Sequence, residues 1–362
     1  MIELKLGSFS EMKYGRMPDK SKLKEHGAYP VFSGYRIVGY TDECNLDKQE
    51  LVVVARGVGG TGDVKLSPGA CFLTNLSIAV IVDENVALKE YLYYYFQIHN
   101  LRYLDSGSAQ SQITISDLKN VTIPLPSLEQ QRAIVNILSQ YDRKIEINNS
   151  INDNLQEQAM ALYASMFLDN PALETTAGTL TDIAEITMGQ SPSGSSYNED
   201  GNGEVFYQGR AEFGYRFPTR RLYTTEPKRM AEAGDVLLSV RAPVGDLNVA
   251  YERCCIGRGL GAIHGRNGYQ SFVLYTMFAL RPQLDVYNGE GTVFGSINRN
   301  ALNDMPIDIP SEDAIAAFEA VVRPMDDMIR SNYEENCRLQ ELRDSLLPRL
   351  MSGEIDITSV DI

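Results

Sequence analysis

The sequence predicts an α/β (α+β) protein: two duplicated mixed α/β globular units, joined by two long helices that form an antiparallel coiled coil with a pseudo-twofold axis. Three observations carry this expectation. An unbroken heptad seam runs through Ile134, Leu138, Tyr141, Ile145, Asn148, Asn152, Leu155, Ala159, Leu162 and Met166. That spacing belongs to a long helix lying against a partner rather than on a globular core. Adding 184 to each position gives Phe318, Val322, Met325, Ile329, Asn332, Asn336, Leu339, Arg343, Leu346 and Leu350, so the heptad and both of its asparagines recur. The segments that precede the two helices also share one plan, which marks an internal duplication. Off the seam, Asp142/Asp326, Gln156/Gln340 and Glu157/Glu341 match at the same offset. At ~1.5 Å per residue the first seam spans about 48 Å. Asparagines at like seam positions set register through polar pairs at some cost in stability.

Residues 1–126 form the first unit. A strand at Leu4–Leu6 leads through Gly7 to Lys13, Gly15 and Arg16, followed by a polar loop with Lys20, Lys22 and Lys24. Tyr29–Phe32 and Leu51–Ala55 are β-branched or aromatic runs bounded by glycine and read as strands. Between them lies Ser33-Gly34-Tyr35-Arg36. Leu76–Val82 is a third strand and Glu90–Tyr103 a tyrosine-rich helix. The polar loop Ser106–Gln112 runs into Ile113, Leu118 and Ile123, then stops at Pro124-Leu-Pro126. Ser127 with Gln130 makes a capping box that opens the long helix of residues 127–177. Residues 178–310 repeat the plan. Gly189 answers Gly15, Gly209 answers Gly34, strand Val236–Val240 answers Leu51–Ala55, and Arg241 aligns with Arg56. Residues 295–311 align without a gap to 111–127. In the closing segment, 311–362, Pro324 falls inside the heptad and predicts a break, with a short helix near 312–322 and a long one from about 325 to 347. Leu350 then falls past the helical seam. Antiparallel pairing is favoured because parallel pairing needs a connection as long as the rod.

The net charge of −15 argues against a nucleic-acid partner until it is mapped. Residues 1–126 carry 13 basic and 14 acidic side chains, and residues 178–310 carry 12 and 15. The acid lies on the helical segments, with 3 basic against 7 acidic in 127–177 and 5 against 12 in 311–362. The globular units are therefore nearly neutral, with local basic clusters. Five cysteines (Cys44, Cys71, Cys254, Cys255, Cys337) form no Cys-x-x-Cys, and with three histidines they support neither a zinc site nor a disulfide framework. Cys254 and Cys255 read as small core residues of a strand. No apolar run reaches 18 residues and the N-terminus carries Glu3 and Lys5, so neither a membrane span nor a secretory signal is expected. A cytoplasmic location follows.

Gly57-Val-Gly-Gly-Thr-Gly62 fits G-x-G-x-x-G, but Asp63-Val-Lys-Leu-Ser-Pro-Gly follows it and cannot open the helix that a dinucleotide site needs. A tight turn presenting Arg56 is the better reading. Pro18-Asp19 with Asp63-Val-Lys65 spaces a nuclease pattern too widely, and Asn170-Pro171-Ala172 is a helix terminator rather than a methyltransferase motif. No catalytic or metal site is expected. The basic-aromatic clusters are the stronger signal. Residues 208–229 include Gln208, Arg210, Phe213, Tyr215, Arg216, Phe217, Arg220, Arg221, Lys228 and Arg229 with only two acids. The first unit offers Lys13, Arg16, Lys20, Lys22, Lys24, Tyr35 and Arg36. Arginine and glutamine can pair bidentately with guanine and adenine edges, while lysines hold phosphates. One such cluster is usually a solvated surface; two at matching places favour function.

Val121-Thr-Ile-Pro-Leu-Pro-Ser-Leu-Glu-Gln-Gln-Arg-Ala-Ile134, with Ile145–Leu162, resembles the central conserved region of type I restriction–modification specificity subunits. Leu339-Gln-Glu-Leu-Arg-Asp-Ser-Leu-Leu-Pro-Arg-Leu-Met-Ser-Gly-Glu354 resembles their distal region, and Gln208–Gly214 with Gly234–Arg241 is similar to their target-recognition domains. The resemblance implies a non-catalytic subunit. Domain 1 (1–126) and domain 2 (178–310) each read one half of a split sequence in double-stranded DNA. The coiled coil sets the gap and docks two methylation subunits, and a restriction–translocase subunit can join them. S-adenosylmethionine, Mg2+ and ATP are then expected only on those partners. The expected DNA contacts are Lys13, Arg16, Tyr35, Arg36, Arg56, Gln110 and Gln112 in the first unit, and Gln208, Arg210, Arg216, Arg220 and Arg241 in the second. Arg56 and Arg241 also suit a structural role at the glycine turn. The competing expectation is a coiled-coil scaffold that binds proteins and no DNA.

Overall fold

The computed structural model describes residues 1–57, 60–105, 112–289 and 295–355. The chain divides into two compact units, Met1–Ile147 with Glu334–Ile362, and Asn148–Tyr333. The first holds β1 (Ile2–Lys5), β2 (Ser10–Tyr14), β3 (Tyr29–Phe32), β4 (Ile37–Thr41), β5 (Leu51–Val54), β6 (Val64–Leu66), β7 (Phe72–Leu73), β8 (Ser77–Val82), α1 (Lys89–Ile98), α2 (Ile115–Lys119), β9 (Thr122–Leu125) and the start of α3 (Leu128–Tyr163). Its main sheet has the order β2-β8-β5-β6. A second, β4-β3-β7, contains one parallel pair, β3 with β7, and β1 pairs antiparallel with β9. β5 is buried at every position and alternates its side chains between two cores. Leu51 and Val53 join the cluster under α1; Val52 faces Phe32, Leu46 and Leu73.

The second unit continues with β10 (Thr175–Thr179), α4 (Leu180–Ile183), β11 (Ala184–Met188), β12 (Tyr197–Asn198), β13 (Glu204–Tyr207), β14 (Tyr223–Thr224), β15 (Met230–Ala231), β16 (Val236–Ser239), β17 (Leu247–Val249), β18 (Cys254–Ile256), β19 (Leu260–Gly265), α5 (Gln270–Ala279), α6 (Arg281–Asp285), α7 (Arg299–Asn303), β20 (Pro306–Pro310) and most of α8 (Glu312–Ser352). The plan repeats in its main sheet, while the second sheet grows from three strands to five, β12-β14-β13-β18-β15. The order β11-β19-β16-β17 matches β2-β8-β5-β6; β13 runs parallel to β18 as β3 does to β7; β10 pairs with β20 as β1 does with β9. Cys254 and Cys255 are buried in β18 as expected. The short helices α2 and α7 sit 184 residues apart, each with its N-cap side chain (Thr114, Asn298) accepting from the backbone N–H three residues on.

Within each unit the two long helices run antiparallel. In the first, Lys144 meets Glu335 at 3.2 Å, Asp142 meets Arg343 at 2.6 Å, and Ile134 and Leu138 share a core with Leu347 and Leu350. In the second, Asn332 donates to Asn152 at 2.8 Å and Tyr163 packs on Phe318 with ring centroids 5.6 Å apart. Ile134, Leu138, Ile145, Asn148, Asn152, Val322, Ile329, Asn332 and Asn336 are buried, and Leu155, Leu162, Met325, Leu339 and Leu346 are partly so. The capping box is present, with Ser127 N–H donating to Gln130 Oε1 at 3.2 Å and Gln130 N–H to Ser127 Oγ at 3.3 Å.

Three expectations about the helices change. The helix ends do not lie only against each other. Ile134 and Leu138 belong to the core of the first unit, and Ala159, Phe318, Val322 and Ile329 to that of the second. At those ends the buried residue moves one position past the heptad, from Leu162 and Leu346 to Tyr163 and Leu347, because a straight helix drifts from a 3.5-residue repeat. Pro324 does not break α8, which is continuous over 41 residues. Ala320, whose carbonyl loses its partner, and Pro324 itself are both exposed, so the missing bond is not stranded in a core. Buried Val322 and Ile329 hold the helix on either side. Leu350 therefore lies inside the helix, 3% exposed.

Candidate nucleic-acid interface

In the first unit, loops from four strands are tied together at one end of the main sheet. Gly15 N–H donates to the Ser77 carbonyl (3.0 Å) and Arg16 N–H to the Leu73 carbonyl (3.0 Å). Ala55 and Arg56 both donate to the Leu76 carbonyl (2.8 and 3.0 Å), and Ile113 N–H donates to the Ala55 carbonyl (3.0 Å). Ser77 Oγ reaches the Ser33 carbonyl at 3.0 Å. The second unit makes the same ties: Gly189 to Leu260 (2.9 Å), Gln190 to Ile256 (3.0 Å), Val240 to Gly259 (3.0 Å) and Ile297 to Val240 (3.1 Å). Gly15 and Gly189 are required here, because a Cβ would lie 2.1 Å from the Thr74 and Gly257 carbonyl oxygens respectively. Arg56 then pairs in a backbone bridge with Gln112, and Arg241 with Ser296.

This knot gathers most of the first unit's expected contacts. Arg16, Tyr35, Arg36 and Arg56 are exposed around it and Gln112 is half-buried. The Tyr35 ring covers the glycine turn so closely that a Cβ at Gly57 would sit 2.5 Å from its hydroxyl. Gln112 N–H is fixed by Asp105 at 2.9 Å. Lys13 lies on β2, with its amine on the Asn45 carbonyl at 3.1 Å. Gln110 and two residues of the glycine turn, Val58 and Gly59, lie outside the described residues, as does most of the Ser106–Gln112 loop.

In the second unit's basic cluster Arg210, Arg220, Arg221, Lys228 and Arg229 are exposed, and Arg216 is not. Gln208 and Arg241 are at the knot and exposed. Arg210 is paired with Asp246, and Arg220 lies 5.3 Å over the Tyr251 ring with Glu252 at 2.5 Å. The expectation for Arg216 is corrected: it is 5% exposed, ion-paired with Asp326 and bonded to Gln156 at 3.1 Å. Its guanidinium ties the globular part to both long helices and does not reach solvent. The one-dimensional cluster hid this because the partners of Arg216, Asp326 and Gln156, come from other segments.

Sequence matching found Asp142 and Asp326 without a role for them; the structure supplies one. Tyr94 of α1 donates to Asp142 at 2.5 Å, and Tyr275 of α5 donates to Asp326 at 3.1 Å. Each aspartate is neutralised by an arginine, Arg343 in one unit and Arg216 in the other. Burial raises the Asp326 pKa above the usual carboxylate range, against the pull of Arg216. The N-termini of α1 and α5 are held similarly. Buried Gln131 accepts from Leu88 N–H at 2.9 Å, and buried Glu319 accepts from Ser271 and Phe272 N–H at 3.2 and 3.0 Å. Among the described residues no His/Cys/Asp/Glu group could hold a metal ion. No described helix is long and apolar enough to cross a membrane.

A family model for the type I restriction modification DNA specificity domain matches residues 2–157. A Methanocaldococcus jannaschii protein, provisionally named the specificity subunit of the type I restriction enzyme MjaX, is 32% identical over 288 residues, covering 74% of this chain and 67% of that protein. This chain belongs to the family of type I restriction enzyme specificity subunits. The MjaIX specificity subunit of the same organism is 23% identical over 356 residues, 87% of this chain and 80% of that protein. The crystal structure of the type I restriction–modification S subunit from M. genitalium shares the fold, with a TM-score of 0.59, 20% identity, and coverage of 96% of this chain and 95% of that one. Specificity subunits are not enzymes, and the family implies recognition of DNA sequence.

Proposed function

We propose that this specificity subunit reads a split sequence in double-stranded DNA, one half with residues 1–126 and the other with residues 178–310. The observation that carries this reading is the repeated knot. One backbone pattern, twice over, presents Arg56 or Arg241 beside exposed polar loops. Lys13, Arg16, Tyr35, Arg36, Arg56 and Gln112 serve the first half; Gln208, Arg210, Arg220 and Arg241 serve the second. The paired long helices, residues 127–177 and 311–362, set the gap between the halves and dock two methylation subunits, to which a restriction–translocase subunit adds. Acidic helices suit protein docking better than contact with phosphates. The methylation subunits bring S-adenosylmethionine and supply part of the phosphate contact that nearly neutral recognition units lack. The complex works in the cytoplasm.

The test is DNA binding by the complex of this chain with its methylation subunits, across a series of salt concentrations. Binding should weaken as a power of salt and discriminate between sequences. A stable complex that retains no DNA at low salt would instead favour a protein scaffold.

A further inference from the structure

The knot places a second loop position beside Arg56 and Arg241 in each unit. Superposing the hydrogen-bond pattern sets Leu73-Thr74-Asn75-Leu76-Ser77 against Ile256-Gly257-Arg258-Gly259-Leu260. Ser77 N–H donates to Thr74 as Leu260 N–H donates to Gly257, at 3.2 and 2.9 Å. Asn75 and Arg258 therefore occupy one position, the apex of the turn between β7 and β8 or between β18 and β19. The same pattern equates Arg16 with Gln190.

Arg258 has two further properties. It shares a hollow of about 570 Å³ with Arg241, lined also by Ser296 and Asn298. Neither arginine has a carboxylate partner among the described residues, a property shared in this unit with Arg229, Arg299 and Arg323, none of which lines the hollow, whereas Arg210, Arg216, Arg220, Arg221, Arg253, Arg266 and Arg281 are all ion-paired. The turn is also closely packed in place. A Cβ on Gly257 or Gly259 would lie 2.9 or 2.8 Å from the backbone of Gln208, and Arg258 N–H donates to Ser191 Oγ at 3.2 Å. An unneutralised guanidinium pair at a closely packed turn is suited to hydrogen-bond acceptors of a strongly polar ligand, and asparagine at the equivalent apex suits an adenine edge.

We infer that the apex residues Arg258 and Asn75 are DNA-contacting, specificity-determining positions, with Arg258 and Arg241 together gripping acceptor atoms of DNA in that hollow. This rests on the reading of a split DNA sequence proposed above. The acceptors are either a guanine edge or phosphate oxygens, and the test separates them. The complex with methylation subunits is prepared with wild-type chain, Arg258→Ala, Asn75→Ala and, as a control, Arg253→Ala, whose guanidinium is already paired with Glu204 at 2.8 Å. Methylated motifs are mapped on random DNA and affinities measured against salt.

Arg258→Ala should lower affinity for the wild-type site about 5- to 150-fold. If the contact is to a base, the motif loses definition in one half only, and Asn75→Ala loosens the other half. If it is to phosphate, the motif is kept, affinity falls evenly across sequences and the salt slope drops by about one. Either result supports the site. Intact complexes of Arg258→Ala and Asn75→Ala with wild-type affinity and motif would overturn it, as would an equal loss in Arg253→Ala. A wild-type complex that yields no split motif would instead remove the underlying reading.

Discussion

At the scale of single residues, exposure sorts arginines that look alike in sequence. Arg216 and Arg241 both follow from residue type and loop position, yet one is buried against Asp326 and the other open to solvent. Arg216→Ala would leave a buried carboxylate unpaired and should cost about 3–5 kcal/mol, read as a lower urea midpoint. Arg241→Ala should change stability by less than about 0.5 kcal/mol while weakening DNA binding. Equal effects on stability would contradict this division. The sequence made Arg241 legible because strand Val236–Val240 leads into it as Leu51–Ala55 leads into Arg56. It could not reveal the fate of Arg216, whose partners Asp326 and Gln156 lie 110 and 60 positions away. Asn75 and Arg258 were illegible for a related reason: asparagine and arginine share no residue pattern, and only the backbone bonds around them show their equivalence.

At the scale of elements, the helices were the most legible part, because heptad spacing and the 184-residue offset report directly on which faces are covered. The Asn152–Asn332 bond is one such polar pair. Asn332→Ala strands a buried amide and should destabilise by about 1–3 kcal/mol in thermal unfolding. Replacing both by leucine should raise the midpoint and loosen the register. A double variant as unstable as the single one would deny the pair this role. The continuity of α8 through Pro324 was not legible, since local propensity says nothing of the buried side chains that hold the helix on each side. Pro324→Ala restores one backbone hydrogen bond and relieves a clash with Ala320, so it should stabilise the chain by up to about 3 kcal/mol. An unchanged melting curve would mean that the flanking contacts already absorb the cost.

At the scale of the whole molecule, duplication is what turns weak local signals into a function. A basic loop is ordinary, and a glycine turn is ordinary. Two copies of one strand order, each knotted around an exposed arginine and each built onto a half of the same two helices, suit a protein that reads two short stretches of DNA. The most direct measurement is methylation mapping with the partner methylation subunits, first with this chain and then with residues 178–310 exchanged for those of a relative. A split motif with a fixed gap, altered in one half only by the exchange, is the expected result. A motif that changes in both halves, or a continuous motif with no gap, would contradict the assignment of one half-site to each unit.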